Sequence, residues 1–170
     1  MSELLLPDKW QDLSFPENAD YTQHGRIHQD DVAIAPLVYI IYQLGVPTRG
    51  CCGGHFTDYK KEIPYVIYRS DCNEASKFYE GLEDALRNGD FLWSAKPYQY
   101  SSRIKPMDRL TPDICDRGLS RSNPLDILLT RLESVNLAIH IIKYFGLEQH
   151  EKEALEMMER FKEEVKDMPL

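Results

Sequence analysis

No apolar run in this 170-residue chain approaches the ~20 residues that a membrane-spanning helix needs. The opening Met1-Ser2-Glu3-Leu4-Leu5-Leu6-Pro7 has an acid before its leucines and too short an apolar stretch for a secretory signal, so a cytoplasmic, reducing location is expected. Cysteine is scarce: Cys51, Cys52, Cys72 and Cys115 do not make a disulfide framework, and a chain of this length buries a core without one. Net positive charge is missing too. Lys and Arg number 20 against 28 Asp and Glu, and a formal charge of −8 argues against binding long nucleic acid. Internal repeats and low-complexity tracts are also absent.

The charge that is present is uneven. Residues 96–121 hold six basic groups (Lys96, Arg103, Lys105, Arg109, Arg117, Arg121) against three acids, whereas residues 148–167 hold eight acids against four bases. A small, multiply charged anion could find a local basic patch on this acidic protein, and such an anion is the partner expected.

Periodicity divides the chain into an irregular arm over 1–29, an α+β core over 30–106, a basic loop over 107–122 and a helical hairpin over 123–168, all within one domain. Ile34, Leu37, Val38, Ile41 and Leu44 follow helical spacing. Asp30 and Asp31 suit that helix's start, Pro36 its first turn and Gly45 its end. A second helix is predicted over 73–88. Strands are predicted over 46–51, 64–69, 91–95 and 98–104, the last two as a hairpin around Lys96-Pro97. Leu125, Leu128, Leu132, Val135, Ile139 and Ile142 step by heptad spacing on a long helix capped by Asn123, with Pro124 at N1 and Gly146 as its stop. Ala154, Met158, Phe161, Val165 and Met168 continue the pattern. The first of these helices is also apolar outside the seam (Ile127, Leu129, Leu137, Ile141, Phe145). It must therefore pack on two sides: on its hairpin partner, and on the sheet or a second subunit. The expected fold is α+β, a small, mostly antiparallel sheet covered by helices, with a C-terminal αα-hairpin that drives homo-oligomerisation.

Chemistry concentrates in Thr48-Arg49-Gly50-Cys51-Cys52-Gly53-Gly54-His55. Glycine permits positive φ and close backbone approach, while Arg, Cys and His supply anion pairing, nucleophilicity and proton transfer. The plainer reading is a turn with a buried thiol, because Cys is among the most buried residue types. Strand alternation prevents Cys51 and Cys52 from facing the same way. Cys52 and His55 could start a zinc site, but zinc takes three or four ligands and the rest would have to come from His24, His28, Cys72 or Cys115; no cofactor is the favoured reading. The ligand-binding set is Thr48, Arg49, Gly53, Gly54, His55, Arg103, Lys105 and Arg121. Cys52 and His55 are the catalytic candidates should the protein be an enzyme. The tyrosines near the strands (Tyr59, Tyr65, Tyr68, Tyr98, Tyr100) could stack a base.

Asp31…Ile34-x-Pro36, Leu44-Gly45-Val46-x-Thr48, Cys51-Cys52-Gly53-Gly54-His55 and Pro64-Tyr65-Val66 together resemble a group of small, mostly uncharacterised bacterial and phage proteins. These share a G-[IV]-x-T-x-x-[SC]-C-x-G-H core followed by P-Y-[IV], and the likeness covers about residues 30–70. A fainter similarity is to the SCSGR stretch of the tRNA wybutosine-synthesis methyltransferase family, where this chain has His55 in place of Arg, which weakens any transfer of that activity. The resemblance implies Thr48, Cys52, Gly54 and His55 as the matching positions and makes the C-terminal hairpin this chain's own addition. The expected function is binding a small phosphorylated or nucleotide-like ligand, with sequestration of a signalling nucleotide as its fullest form. An enzyme using Cys52 or His55, and an oligomeric interaction protein with no small-molecule site, are the alternatives.

Overall fold

The computed structural model describes residues 33–56, 59, 61–89, 91–98, 106–147, 151–152, 154–156 and 159. The arm over 1–29, His24, His28, Tyr100, Arg103, Lys105 and the outer half of the second hairpin helix lie outside the described residues.

Helix α1 (Ala35–Gln43) is buried from Ala35 through Ile41, which makes it a core element rather than an amphipathic surface helix. Pro36 occupies the first turn, where its missing N–H costs nothing. The N-cap is Ile34, with no side-chain cap, and Asp30 and Asp31 lie outside the described residues. Gly45, at φ 79°, turns the chain into β1 (Thr48–Cys52). A two-residue ribbon follows, β2 (His55–Phe56) with β3 (Lys61–Glu62), which the sequence did not signal. Next come β4 (Tyr65–Arg69), α2 (Asn73–Asn88), β5 (Trp93–Pro97), β6 (Met107–Pro112) and α3 (Pro124–Tyr144).

The main sheet has the order β1-β4-β6-β5, and every pair in it is antiparallel. Directly opposite residues share a face, so the registers sort the side chains into two sets. Val66 and Tyr68 on β4, Leu110 on β6 and Trp93 on β5 join one core cluster with α1, α2 and α3. Cys52, Tyr65, Ile67, Arg109, Thr111, Ser94 and Lys96 belong to the other face. The architecture is thus α+β, with helices covering one side of an antiparallel sheet.

One sequence expectation is corrected. The partner of β5 is Met107–Pro112, not residues 98–104, and it occupies the front of the segment read as an irregular basic loop over 107–122. Residues 99–105 lie outside the described residues. Asp108 and Arg109 made the segment look like a solvated loop. Met107, Leu110 and Pro112 are nevertheless buried, and the two charged residues lie on opposite faces of a strand.

Asn123 caps α3 as expected, its side chain accepting from the Leu125 N–H at 3.0 Å. The helix buries Ile127, Leu128, Val135, Leu137, Ala138, Ile139, Ile141 and Ile142. It packs on α1 and α2 of the same chain; Leu137 and Ile141, outside the heptad seam, join the shared core cluster, whereas Leu129 is 40% exposed. Close approach to α2 depends on Gly81, where a Cβ would fall 2.5 Å from the ring of Phe145. Helical residues recur at 151–152, 154–156 and 159, with Ala154 fully buried and Lys143 paired to Glu151 at 3.4 Å. No helix among the described residues is long and apolar enough to cross a membrane.

Gly54 and Gly50 make a test of which glycine the fold requires. Gly54 sits at φ 85°, with Arg131 Cγ at 3.0 Å and Pro64 Cδ at 3.1 Å from where a Cβ would lie, whereas nothing lies within 4 Å of that position at Gly50. Gly54→Ala is expected to cost about 1–2 kcal/mol in left-handed strain, plus the cost of displacing Pro64. Gly50→Ala should stay within about 0.5 kcal/mol of wild type in denaturant melts.

Candidate functional site

The glycine loop is a packed turn. Thr48 is 4% exposed and Cys52 2%, Gly53 and Gly54 are buried, and Arg49 and His55 are half-buried. Arg49 stands at an irregularity in the β1–β4 register, between Thr48 and Gly50. His55 faces Glu62 across the β2–β3 ribbon. Gly54 leaves the room that Pro64 and Arg131 fill, so close approach at this glycine serves protein packing.

Cys51 and Cys52 part company as alternation requires. Cys51 packs against the helical core, and Cys52 lies on the other face opposite Tyr65. The Cys52 thiol donates to Glu62 Oε2 at 3.4 Å. All four cysteines are free. No group of three or more His, Cys, Asp or Glu side chains able to hold a metal occurs among the described residues, and the candidate ligands His24 and His28 lie outside them.

On the face opposite the helices the basic groups converge. A cleft of about 250 Å3 opens between β5, β6 and the segment that follows β6, and Lys96, Arg109 and Arg121 line it. Ser94, Thr111 and Asp113 supply its other polar groups, and Ile63, Pro112 and Ile114 its apolar walls. Lys96 and Arg109 are directly opposite on β5 and β6, as are Ser94 and Thr111 one step along the same face. Like charges placed opposite each other on a sheet repel. Among the described residues, no carboxylate pairs with Lys96, Arg109 or Arg121. Buried Arg109 Nε and Ser94 Oγ have no hydrogen-bond partner there either. Thr111, by contrast, donates to the Pro64 carbonyl at 3.0 Å.

Two supports hold this arrangement. Arg109 lies over the ring of Tyr65, with Cζ 4.1 Å from the centroid. Burial pushes the Tyr65 phenol up to about 12; the neighbouring Cys52 and Glu62 add to the rise and Arg109 opposes it. Tyr65 therefore remains neutral at physiological pH. The second support fixes the wall that carries Asp113 and Arg121. Arg117 forms a two-pronged pair with Glu133 on α3 at 2.6 and 2.7 Å, and Trp93 Nε1 donates to the same carboxylate at 3.2 Å. Both charged side chains are about one-seventh exposed, and the pairing raises the Arg117 pKa.

Of the described members of the sequence-based ligand set, Arg121 alone lines the cleft. Thr48, Arg49, Gly53, Gly54 and His55 lie at the β1–β2 turn, and Arg103 and Lys105 lie outside the described residues. In the sequence, Lys96 and Arg109 stand out only as members of the basic segment and Asp113 only as one of its three acids, and nothing there marks Ser94 or Thr111. Had 107–112 been read as a strand, alternation would have put Arg109 and Thr111 on one face. Compared with protein-family models, curated proteins and solved structures, the chain has no match.

On the covered face, Tyr79 donates to Asp108, and burial together with that bond raises Tyr79 to about 12; burial raises Tyr68 as well. These phenols titrate near 10 when unfolded, so the stability gained by holding them neutral is intact below about pH 10 and is lost as the pH rises. The melting temperature is expected to fall between pH 10 and about 12, less steeply in Tyr65→Phe, as followed by phenolate absorbance. Glu133→Ala leaves Arg117 and Trp93 without their acceptor and should cost of the order of 3 kcal/mol. Adding Arg117→Met should recover much of that loss, because no charge then stays buried alone.

Proposed function

We propose that the protein binds a small phosphorylated or nucleotide-like anion in the cleft between β5, β6 and residues 113–121. The observation that carries this reading is the direct apposition of Lys96 and Arg109 with Arg121 on the same cleft, none of them paired to a described carboxylate. An acidic chain that concentrates unpaired cations on one concave surface lowers its energy when an anion arrives, and a charge-assisted hydrogen bond contributes about 1.5–3 kcal/mol. Burial of Cys52 and its donation to Glu62 favour binding over thiol chemistry at the glycine loop. In this reading the glycine loop shapes the sheet edge and the cations meet the ligand. Sequestration of a signalling nucleotide is the form of the function that needs no catalytic group.

Calorimetric titration of phosphate and a nucleotide panel tests the assignment. Lys96→Ala and Arg121→Ala are each expected to weaken binding about tenfold or more. Lys96→Ala should also leave the unliganded melting temperature unchanged or raise it by up to about 3 °C, since it removes cross-strand repulsion. Wild-type affinity for every anion in both variants would place the site elsewhere.

A further inference from the structure

The cleft's dimensions and the order of its polar groups narrow the ligand class, an inference that rests on the anion-binding reading above. We infer that the cleft takes a compact phosphomonoester of a hydroxylated body, such as a sugar phosphate or a single nucleoside 5′-monophosphate, rather than a dinucleotide or a polyphosphate.

Volume is the first argument. Pockets for drug-sized ligands run about 300–1,000 Å3, and this cleft of about 250 Å3 falls below that range. A dinucleotide would leave much of itself in solvent. The second argument is the sequence of groups along the floor. The cationic pair Lys96–Arg109 is followed, one step along the same face, by the hydroxyl pair Ser94–Thr111. That step is two residues, or ~6.8 Å, which suits the reach from a phosphate to the hydroxyls of the sugar that carries it. Ser94 Oγ is buried and unpartnered among the described residues, so a ligand hydroxyl would satisfy a group the protein leaves unsatisfied.

Asp113 supplies the third argument. It follows Thr111 by two residues and lines the same cleft, and among the described residues its Oδ1 accepts only a long 3.5 Å contact from the Asp116 N–H. A carboxylate at that end repels further phosphates and accepts from hydroxyl groups. The floor of the cleft is thus polar along its length, with the Lys96–Arg109 pair first, the hydroxyls next and the Asp113 carboxylate beyond them, while Arg121 lines the cleft from the segment after β6. A phosphomonoester of a polyol has the matching polarity; a chain of phosphates does not.

The test titrates inorganic phosphate, ribose 5-phosphate, adenosine 5′-monophosphate, adenosine 5′-triphosphate and a cyclic dinucleotide into wild type, Ser94→Ala and Asp113→Asn. At least one of the two monoesters should bind about two- to tenfold more tightly than inorganic phosphate, the worth of one or two neutral hydrogen bonds. Ser94→Ala and Asp113→Asn should each shrink the ratio of monoester to inorganic-phosphate affinity, and Asp113→Asn should tighten the triphosphate more than it tightens inorganic phosphate. Melting curves check that both variants fold, and Ser94→Ala should melt no lower than wild type, since it deletes an unsatisfied hydroxyl. A dinucleotide or triphosphate that outbinds both monoesters in wild type overturns the size and polarity inference and leaves anion binding standing. Equal weakening of phosphate and monoester in both variants also overturns it. Failure of every anion to bind wild type sinks both readings together.

Discussion

An antiparallel sheet with helices on one side must keep its apolar residues in phase across every strand, because a slip of one residue carries a strand's whole hydrophobic set to the wrong face. Here Val66 and Tyr68 set that phase from the second position in the sheet, and Leu110 and Trp93 match it through the registers of β6 and β5. Tyr68 is fully buried, edge-on to Phe78 of α2 with ring centroids 5.2 Å apart, so the phase is locked to the helical layer. Everything on the opposite face is a consequence of that lock. Once Leu110 points to the helices, Arg109 and Thr111 must point away, and once Ala95 is opposite Leu110, Lys96 must stand beside Arg109. The cationic pair is thus fixed by the core.

Helix α3 makes the remaining connection. It lies against α1 and α2, and through Glu133 it reaches past the sheet edge to hold Arg117 and Trp93 together. The segment after β6 would otherwise be a surface connection, and such segments move unless they are tied down. Glu133 ties this one to a helix packed in the core, which gives Asp113 and Arg121 defined positions along one wall of the cleft. Leu119 N–H donating to the Ile114 carbonyl and Ser120 N–H donating to Asp126 close the same segment on itself and onto the first turn of α3.

How much of this could be read from the sequence varied with the kind of signal. The three helices were legible because their apolar spacing, glycine stops and Asn123 cap all point to the same element. Strand β4 was legible from its run of β-branched and aromatic residues. Strand β6 was not, because Asp108 and Arg109 are charged, Pro106 and Pro112 flank the segment, and only its partners reveal that the charges face opposite ways. The same blind spot hid the site. Density of chemically capable residues drew attention to 48–55, yet at Gly54 the glycine answers to Pro64 and Arg131. The basic bias of 96–121 was visible; the pairing that assembles it was a matter of long-range register, which local composition does not encode.

The glycine turn still bears on the proposed site, by a longer route. It ends β1 at Cys52 and sends the chain into the β2–β3 ribbon, which brings Glu62 to the Cys52 thiol. Both groups flank Tyr65 and add to the rise that burial gives its phenol pKa, although a tyrosine is neutral at physiological pH without them. A neutral, half-buried ring can take a guanidinium against its face, an attraction worth about 0.5–2 kcal/mol depending on desolvation. Opposed like charges on a sheet cost about 0.2–1 kcal/mol, so the Tyr65 ring can hold Arg109 in place against the repulsion of Lys96. The asymmetry matters for recognition. Arg109 is clamped before a ligand arrives, and Lys96 stays exposed on the edge strand with its side chain free to adapt. One preorganised cation fixes the position of an anion, and one mobile cation closes on it, at a smaller entropic cost than two flexible side chains would incur.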